Sequence, residues 1–194
     1  MEPEALPDWV IPPPDGFTAD DFLRMRGLPR HTELIDGALV FARPQRKWHS
    51  RIVNLIRGEI DRQAAHGWRA ERGMAVRLAD RQVPVPDVAV VTAEAYEREQ
   101  PDDHYFGEDL LLAVEAVDPG SEDRDRHTKP VKYAAAGIEH FWRVEDVDGR
   151  TVVFVHELDH AARSYRPPSV HCGRLEVSVP FDIEVDLGAV GARW

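Results

Sequence analysis

Two carboxylates stand inside stretches that otherwise carry almost no polar side chain. Asp87 lies in Val85-Pro86-Asp87-Val88-Ala89-Val90-Val91 and Glu115 in Leu110-Leu111-Leu112-Ala113-Val114-Glu115-Ala116-Val117. Both runs are apolar almost throughout, as strands buried on both faces are. An ionised carboxylate buried without a partner is costly, so each acid must be paired, protonated or bound to a cation. Consecutive buried strands often lie side by side, and two acids held that close raise each other's pKa unless a cation sits between them. A hard divalent metal with oxygen ligands, Mg²⁺ or Mn²⁺, is the economical solution. The competing account pairs one acid with an arginine and puts the other at a surface strand end.

The chain has only three lysines, Lys47, Lys129 and Lys132, and two of them follow the second acid. A lysine beside a metal-bound carboxylate pair suits phosphodiester hydrolysis. There the metal and the ammonium offset charge on the phosphoryl oxygens and help orient a water or lower its pKa. Arg124 and Arg126 lie between the acids and the second lysine-bearing segment and read as a solvated loop that could supply local positive charge for phosphate.

The elements that must position these groups follow from spacing. Residues 1–17 read as a proline-rich arm, because Pro12, Pro13 and Pro14 remove amide donors and favour polyproline geometry. Thr18 caps a short helix over Ala19 to Arg26. Glu33 to Phe41 reads as a hairpin turning at Asp36-Gly37. From Trp48 to Ala65, Ile52, Val53, Leu55, Ile56, Ile60 and Ala64 recur at helical spacing. Strands are expected over Ala70–Leu78, Val85–Val91, Leu110–Val117, Glu139–Glu145, Thr151–His156, Ala162–Tyr165 and Leu175–Val179. A second helix is expected from Thr128 to Ala136 with Pro130 in its first turn, leaving Ser121 to His127 as loop. This order describes an α/β fold, a mixed central sheet flanked by helices.

At 194 residues the chain is sized for one domain, residues 18–194 after the arm. Its formal charge of -11 argues against holding nucleic acid or anionic membrane by bulk electrostatics, so a polyanion partner needs a local positive site or a bound cation. The single Cys172 excludes an internal disulfide and fits a reducing cytoplasm. No signal peptide and no apolar run of about 18 residues is visible, so a soluble, cytoplasmic protein without a membrane partner is expected. The arm and an apolar C-terminal strand region would suit a homodimer.

Taken as an ordered set, several segments resemble one family. These are Glu33-Leu34-Ile35-Asp36-Gly37, Pro86-Asp87-Val88-Ala89-Val90-Val91, Val114-Glu115-Ala116-Val117-Asp118-Pro119-Gly120-Ser121, and Lys129 four residues before Tyr133, followed by Ala136-Gly137-Ile138-Glu139-His140-Phe141-Trp142. Together they resemble the bacterial restriction endonuclease family of the Uma-two type, within the PD-(D/E)XK nuclease superfamily. The resemblance covers roughly Thr32 to Val155. It implies a restriction-endonuclease-like core and a metal site for Mg²⁺ or Mn²⁺ built from Asp87 and Glu115, with the Ala116 carbonyl as a further ligand. It also implies DNA as substrate, Lys129 orienting the attacking water, and Glu33 nearby to assist that water. Val117 stands where the superfamily pattern has lysine, and Lys129 takes that place by its spacing to Tyr133. Lys132 competes for the role, and His49 falls where family members often carry a histidine. The alternative from another class is a non-catalytic binding or assembly module that keeps the fold.

His156-Glu157-Leu158-Asp159-His160 is a literal HExxH, the zinc-protease signature. That chemistry needs a helix, whereas Thr151 to Val155 leads in as a strand. On extended backbone the two histidines would stand roughly 13 Å apart. The segment therefore reads as part of a hairpin with Asp159-His160 near its tip.

Overall fold

Local side-chain chemistry accounts for most element boundaries in the computed structural model, which describes residues 11–191. Helix α1 (Ala19–Arg24) opens at Thr18, whose hydroxyl accepts from the Asp21 amide while the Asp21 carboxylate accepts from the Thr18 amide. Strands β1 (Glu33–Ile35) and β2 (Ala38–Val40) form the expected hairpin, with Asp36 at φ 53° and Gly37 at φ 78°. Those two positive values are what a two-residue turn of this twist requires. Helix α2 (Lys47–Gln63) buries Ile52, Val53, Ile56 and Ile60 along one face.

The single strand expected over Ala70–Leu78 is instead two strands, β3 (Trp68–Glu71) and β4 (Ala75–Arg77). Arg72-Gly73 breaks the run, with Gly73 in the left-handed region at φ 61°. The next strand, β5 (Val88–Thr92), begins after Asp87 rather than around it. Pro84 and Pro86 have no amide to give a ladder, and the Val85 amide between them goes to the Glu33 carboxylate at 2.9 Å. Helix α3 (Ala93–Glu97), β6 (His104–Phe106) and β7 (Leu110–Ala116) follow.

The stretch Ser121–His127, expected as loop, is largely helical: Glu122 and Asp123 are helical and Arg124–Thr128 form a π turn that runs into α4 (Lys129–Ala135). In a regular α-helix the Pro130 ring would collide with the carbonyl four residues back. The wider turn avoids this, and the Lys129 amide donates to the Arg124 carbonyl, five residues earlier. The chain ends through β8 (His140–Val147), β9 (Arg150–Asp159), β10 (Ser164–Tyr165), β11 (Ser169–Cys172), β12 (Arg174–Val177) and β13 (Ile183–Asp186).

Seven strands make the main sheet, in the order β10-β9-β8-β7-β5-β3 with β11 also on β9. Only β7 and β8 are parallel; the other pairings are antiparallel. A parallel pair needs a crossover, and α4 supplies it. Alternation then fixes the layers. Val88, Val90, Leu112 and Val114 face α2 and the β12–β13 hairpin, while Ala89, Val91 and Ala113 face Tyr133 of α4. A third cluster, Phe17, Phe22, Leu34 and Val83, seats α1 and the β1–β2 hairpin beside the sheet. The chain is thus a single α/β domain with a mixed sheet flanked by helices.

Most of the expected arm, residues 1–10 of 1–17, lies outside the described residues. From Ile11 to Asp15 the chain is exposed, and Phe17 is already buried. Among the described residues, no helix is long and apolar enough to cross a membrane.

Candidate active site

One end of the two central strands gathers most of the acids singled out in the sequence. Since Val88 pairs with Val114, the same register sets Asp87 across from Glu115. Glu115 is fully buried and, by alternation, faces α4. Its Oε1 accepts the Tyr133 hydroxyl at 2.7 Å and its Oε2 accepts Lys129 Nζ at 3.0 Å. Glu33, at the start of β1, also reaches Lys129 Nζ, at 2.9 Å, and Asp125 Oδ1 lies 3.3 Å away. An ammonium has three donors, and three carboxylates surround this one.

Asp87 is partly buried, and its Oδ2 accepts the Ala116 amide at 2.8 Å and lies 3.0 Å from His49 Nε2. His49 itself is buried on α2. Lys132, one turn further along α4, points elsewhere: its Nζ meets Asp36 Oδ1 at 2.6 Å in the open. The β1–β2 hairpin is therefore fastened to α4 twice, Glu33 to Lys129 and Asp36 to Lys132. Of the two competing lysines, Lys129 is in the cluster and Lys132 is not.

Two members were not singled out by sequence. Asp125 is a charged residue in a segment expected as loop, yet the π turn carries it inward until it is almost wholly buried. Tyr133 entered only as a spacing mark. A polar pattern of one acid four residues before a lysine, and that lysine four before a tyrosine, is the signal that could have found them, since such positions share a helix face.

The electrostatics are one-sided: four carboxylates, Glu33, Asp87, Glu115 and Asp125, act on one lysine. Burial pushes Glu115 well above the usual carboxylate range, with Asp125, Asp87 and Glu33 adding to the shift and Lys129 opposing it. Asp125 is raised for the same reasons, burial first. Burial alone would lower Lys129, but the four acids outweigh it and hold the ammonium firmly protonated. Burial, then Glu115, keeps the Tyr133 hydroxyl protonated.

All these groups except Tyr133 line one cavity of about 520 Å³, together with Ala116 and the Asp118–Ser121 loop. The donors fit a hard cation. Both acids offer oxygen, and no hydrogen bond reaches Asp87 Oδ1 among the described residues. Among the described residues no three His, Cys, Asp or Glu side chains are grouped to share one ion. Oxygen donors of this kind suit a hard cation such as Mg²⁺, which commonly takes one or two carboxylates and keeps several waters, although both Glu115 oxygens already accept, from Tyr133 and Lys129.

The HExxH histidines do not converge. His156 lies in strand β9 with its ring 5.5 Å from that of Phe141, and His160, beyond the strand end, sits 3.2 Å from Glu139.

A mixed sheet with helices on both faces, and the crossover helix between its parallel strands, defines a restriction-endonuclease-like α/β fold. The crystal structure of a putative nuclease belonging to DUF820 from Anabaena variabilis has the same fold. It superposes with a TM-score of 0.61 at 20% identity, over 84% of this chain and 89% of that one. The family model described as "Putative restriction endonuclease" (Uma2) matches residues 19–188, and the chain belongs to that family. No curated protein matches it.

Proposed function

We propose that the protein is a metal-dependent endonuclease that hydrolyses DNA phosphodiester bonds. The observation that carries this reading is the convergence of Asp87, Glu115 and Lys129 on one cavity, in a chain whose family is described as "Putative restriction endonuclease". Asp87, Glu115 and the Ala116 carbonyl would hold Mg²⁺ or Mn²⁺. Bound there, the cation would supply Lewis-acid stabilisation of phosphoryl charge and favour deprotonation of water.

The chain's own groups do the rest. Lys129, held protonated by its acid surroundings, would exchange its contacts with Glu33 and Asp125 for the attacking water and a phosphoryl oxygen as that oxygen gains charge. Glu33 accepts a hydrogen bond from the same water and so aligns it. Tyr133 holds Glu115 Oε1 and fixes the carboxylate plane, and His49 does the same for Asp87 Oδ2. Asp125 keeps Lys129 directed into the cavity.

The test is cleavage of supercoiled plasmid in Mg²⁺ or Mn²⁺ by wild type, Asp87→Ala and Glu115→Gln. Wild type should nick the plasmid and both variants should be inactive. Full activity in either variant would remove the assignment, and an inactive wild type that binds no Mn²⁺ at millimolar concentration by calorimetry would favour a non-catalytic module.

A further inference from the structure

The cavity separates its charges by depth. Glu33, Glu115, Asp125 and Lys129 are buried at its floor, whereas Arg43 is exposed on its wall and Arg124 is half-buried. Neighbouring arginines are already neutralised: Arg46 pairs with Asp118 and Asp146, and Arg126 pairs with Glu122 and Glu145. Arg72, also on the wall, is held by the Asn54 amide oxygen. Arg43 and Arg124 have no carboxylate partner among the described residues, although the acids Glu33, Asp87, Glu115, Asp118 and Asp125 line the same cavity.

Both arginines meet at Gly120. Its carbonyl accepts Arg124 Nη2 at 3.3 Å, and a Cβ on Gly120 would stand 3.0 Å from Arg43 Cδ. The missing side chain is what lets Arg43 close over the loop that follows the Glu115 strand. Arg124 Nε is buried with no hydrogen-bond partner. A guanidinium carries five N–H donors in a planar fork, so Arg124, with one given to the Gly120 carbonyl, keeps most of its capacity for another acceptor.

We infer that Arg43 and Arg124 form a phosphate clamp at the cavity mouth, which grips the backbone phosphate next to the one presented to the buried acids. This rests on the phosphodiesterase reading above and adds where the polyanion is held. A chain with a formal charge of -11 repels a polyanion on average, so the contact falls to the cations left unpaired beside the site. Guanidinium suits the task because two parallel N–H groups match two phosphoryl oxygens. Gly120 sets the spacing of the two forks, and the acid floor beyond them repels the strand unless a divalent cation is bound. The clamp therefore binds the backbone without metal, and a cation held by Asp87 and Glu115 would offset the floor's negative charge toward the neighbouring phosphate.

The test measures binding apart from turnover. A fluorescently labelled DNA duplex is titrated by anisotropy in EDTA and in Ca²⁺, across a salt series, against wild type and the Arg43→Ala/Arg124→Ala double variant. Each lost phosphate contact lowers the slope of log affinity against log salt by about 0.9. The clamp holds one phosphate, so the double variant should lose about 0.9 in slope and about tenfold in affinity at low salt. Its Mn²⁺ affinity by calorimetry should match wild type, which shows an intact acid floor. Should the double variant fold poorly, Gly120→Ala, which crowds only Arg43 Cδ, should weaken duplex binding in the same direction. Wild-type affinity and slope in a folded double variant overturn the clamp and leave the nuclease reading standing. Clamp-dependent binding by a wild type that never cleaves DNA supports the clamp and overturns the nuclease reading instead.

Discussion

The Lys129 ammonium and the Glu115 carboxylate meet at 3.0 Å in a site where both are closed to solvent. Removing one partner of a buried pair leaves the other charge without compensation, at a cost of about 3–5 kcal/mol. Here three acids crowd that ammonium, so the loss falls on all of them. Lys129→Met should lower the urea-unfolding free energy at neutral pH by about that amount, with a smaller deficit in acid, where the carboxylates are protonated. A variant as stable as wild type at neutral pH would show that the ammonium does not hold the acids together.

Lys132→Met should behave differently. Its partner Asp36 is largely exposed, and such pairs contribute about 0.2–1 kcal/mol. Stability should change by no more than that, and plasmid cleavage should stay within about twofold of wild type, since typical surface substitutions are nearly neutral. A large loss of cleavage would return Lys132 to candidacy as the active-site lysine.

Asp125→Asn should separate positioning from binding. The amide keeps the shape but withdraws one negative charge from Lys129, so the lysine is held less firmly toward the cavity. Loss of such supporting groups typically lowers activity about 10- to 100-fold, and the fall should appear in kcat with KM for DNA little altered. An effect confined to KM would mean that Asp125 acts on substrate and not through Lys129.

The pH dependence of stability follows from the raised carboxylates. Glu115 binds its proton more tightly in the folded state than when unfolded, because burial and then its acid neighbours raise it above the ordinary 4.5. Its contribution is fully present below that ordinary value and is lost as pH rises through the folded one. In EDTA, the urea midpoint should therefore fall as pH rises from about 4.5 toward neutrality. Mn²⁺ should flatten the profile by favouring the charged form, and Glu115→Gln should flatten it without metal. A midpoint that rises over the same interval in EDTA would contradict the electrostatic account.

Much of this was legible in the chain. The apolar periodicity of α2, the Asp36-Gly37 turn and the Thr18 cap each follow from local rules and fall where expected. The adjacency of Asp87 and Glu115 was legible because polar residues in apolar runs are costly wherever they lie. The position of Asp87 was not: Pro84 and Pro86 shorten β5, so the acid stands just before the strand. The split between β3 and β4 depends on a left-handed Gly73 that a run of apolar letters does not reveal. The π turn depends on a steric conflict between Pro130 and its own helix, and it is this turn that hides Asp125, whose burial has no local cause. The parallel pairing of β4 with β6 is likewise set by tertiary packing.

The double fastening of the β1–β2 hairpin to α4 has a practical outcome for lysine chemistry. The chain owns three lysines, and two of them are those fasteners, one buried and one tied to Asp36. Lys47, exposed at the start of α2, is the remaining side-chain amine. Amine-reactive acylation thus becomes a reporter of the fold: in the native protein the label should settle first on Lys47, and acylation at Lys129 would register the hairpin lifting from the helix and the acid cluster opening to water.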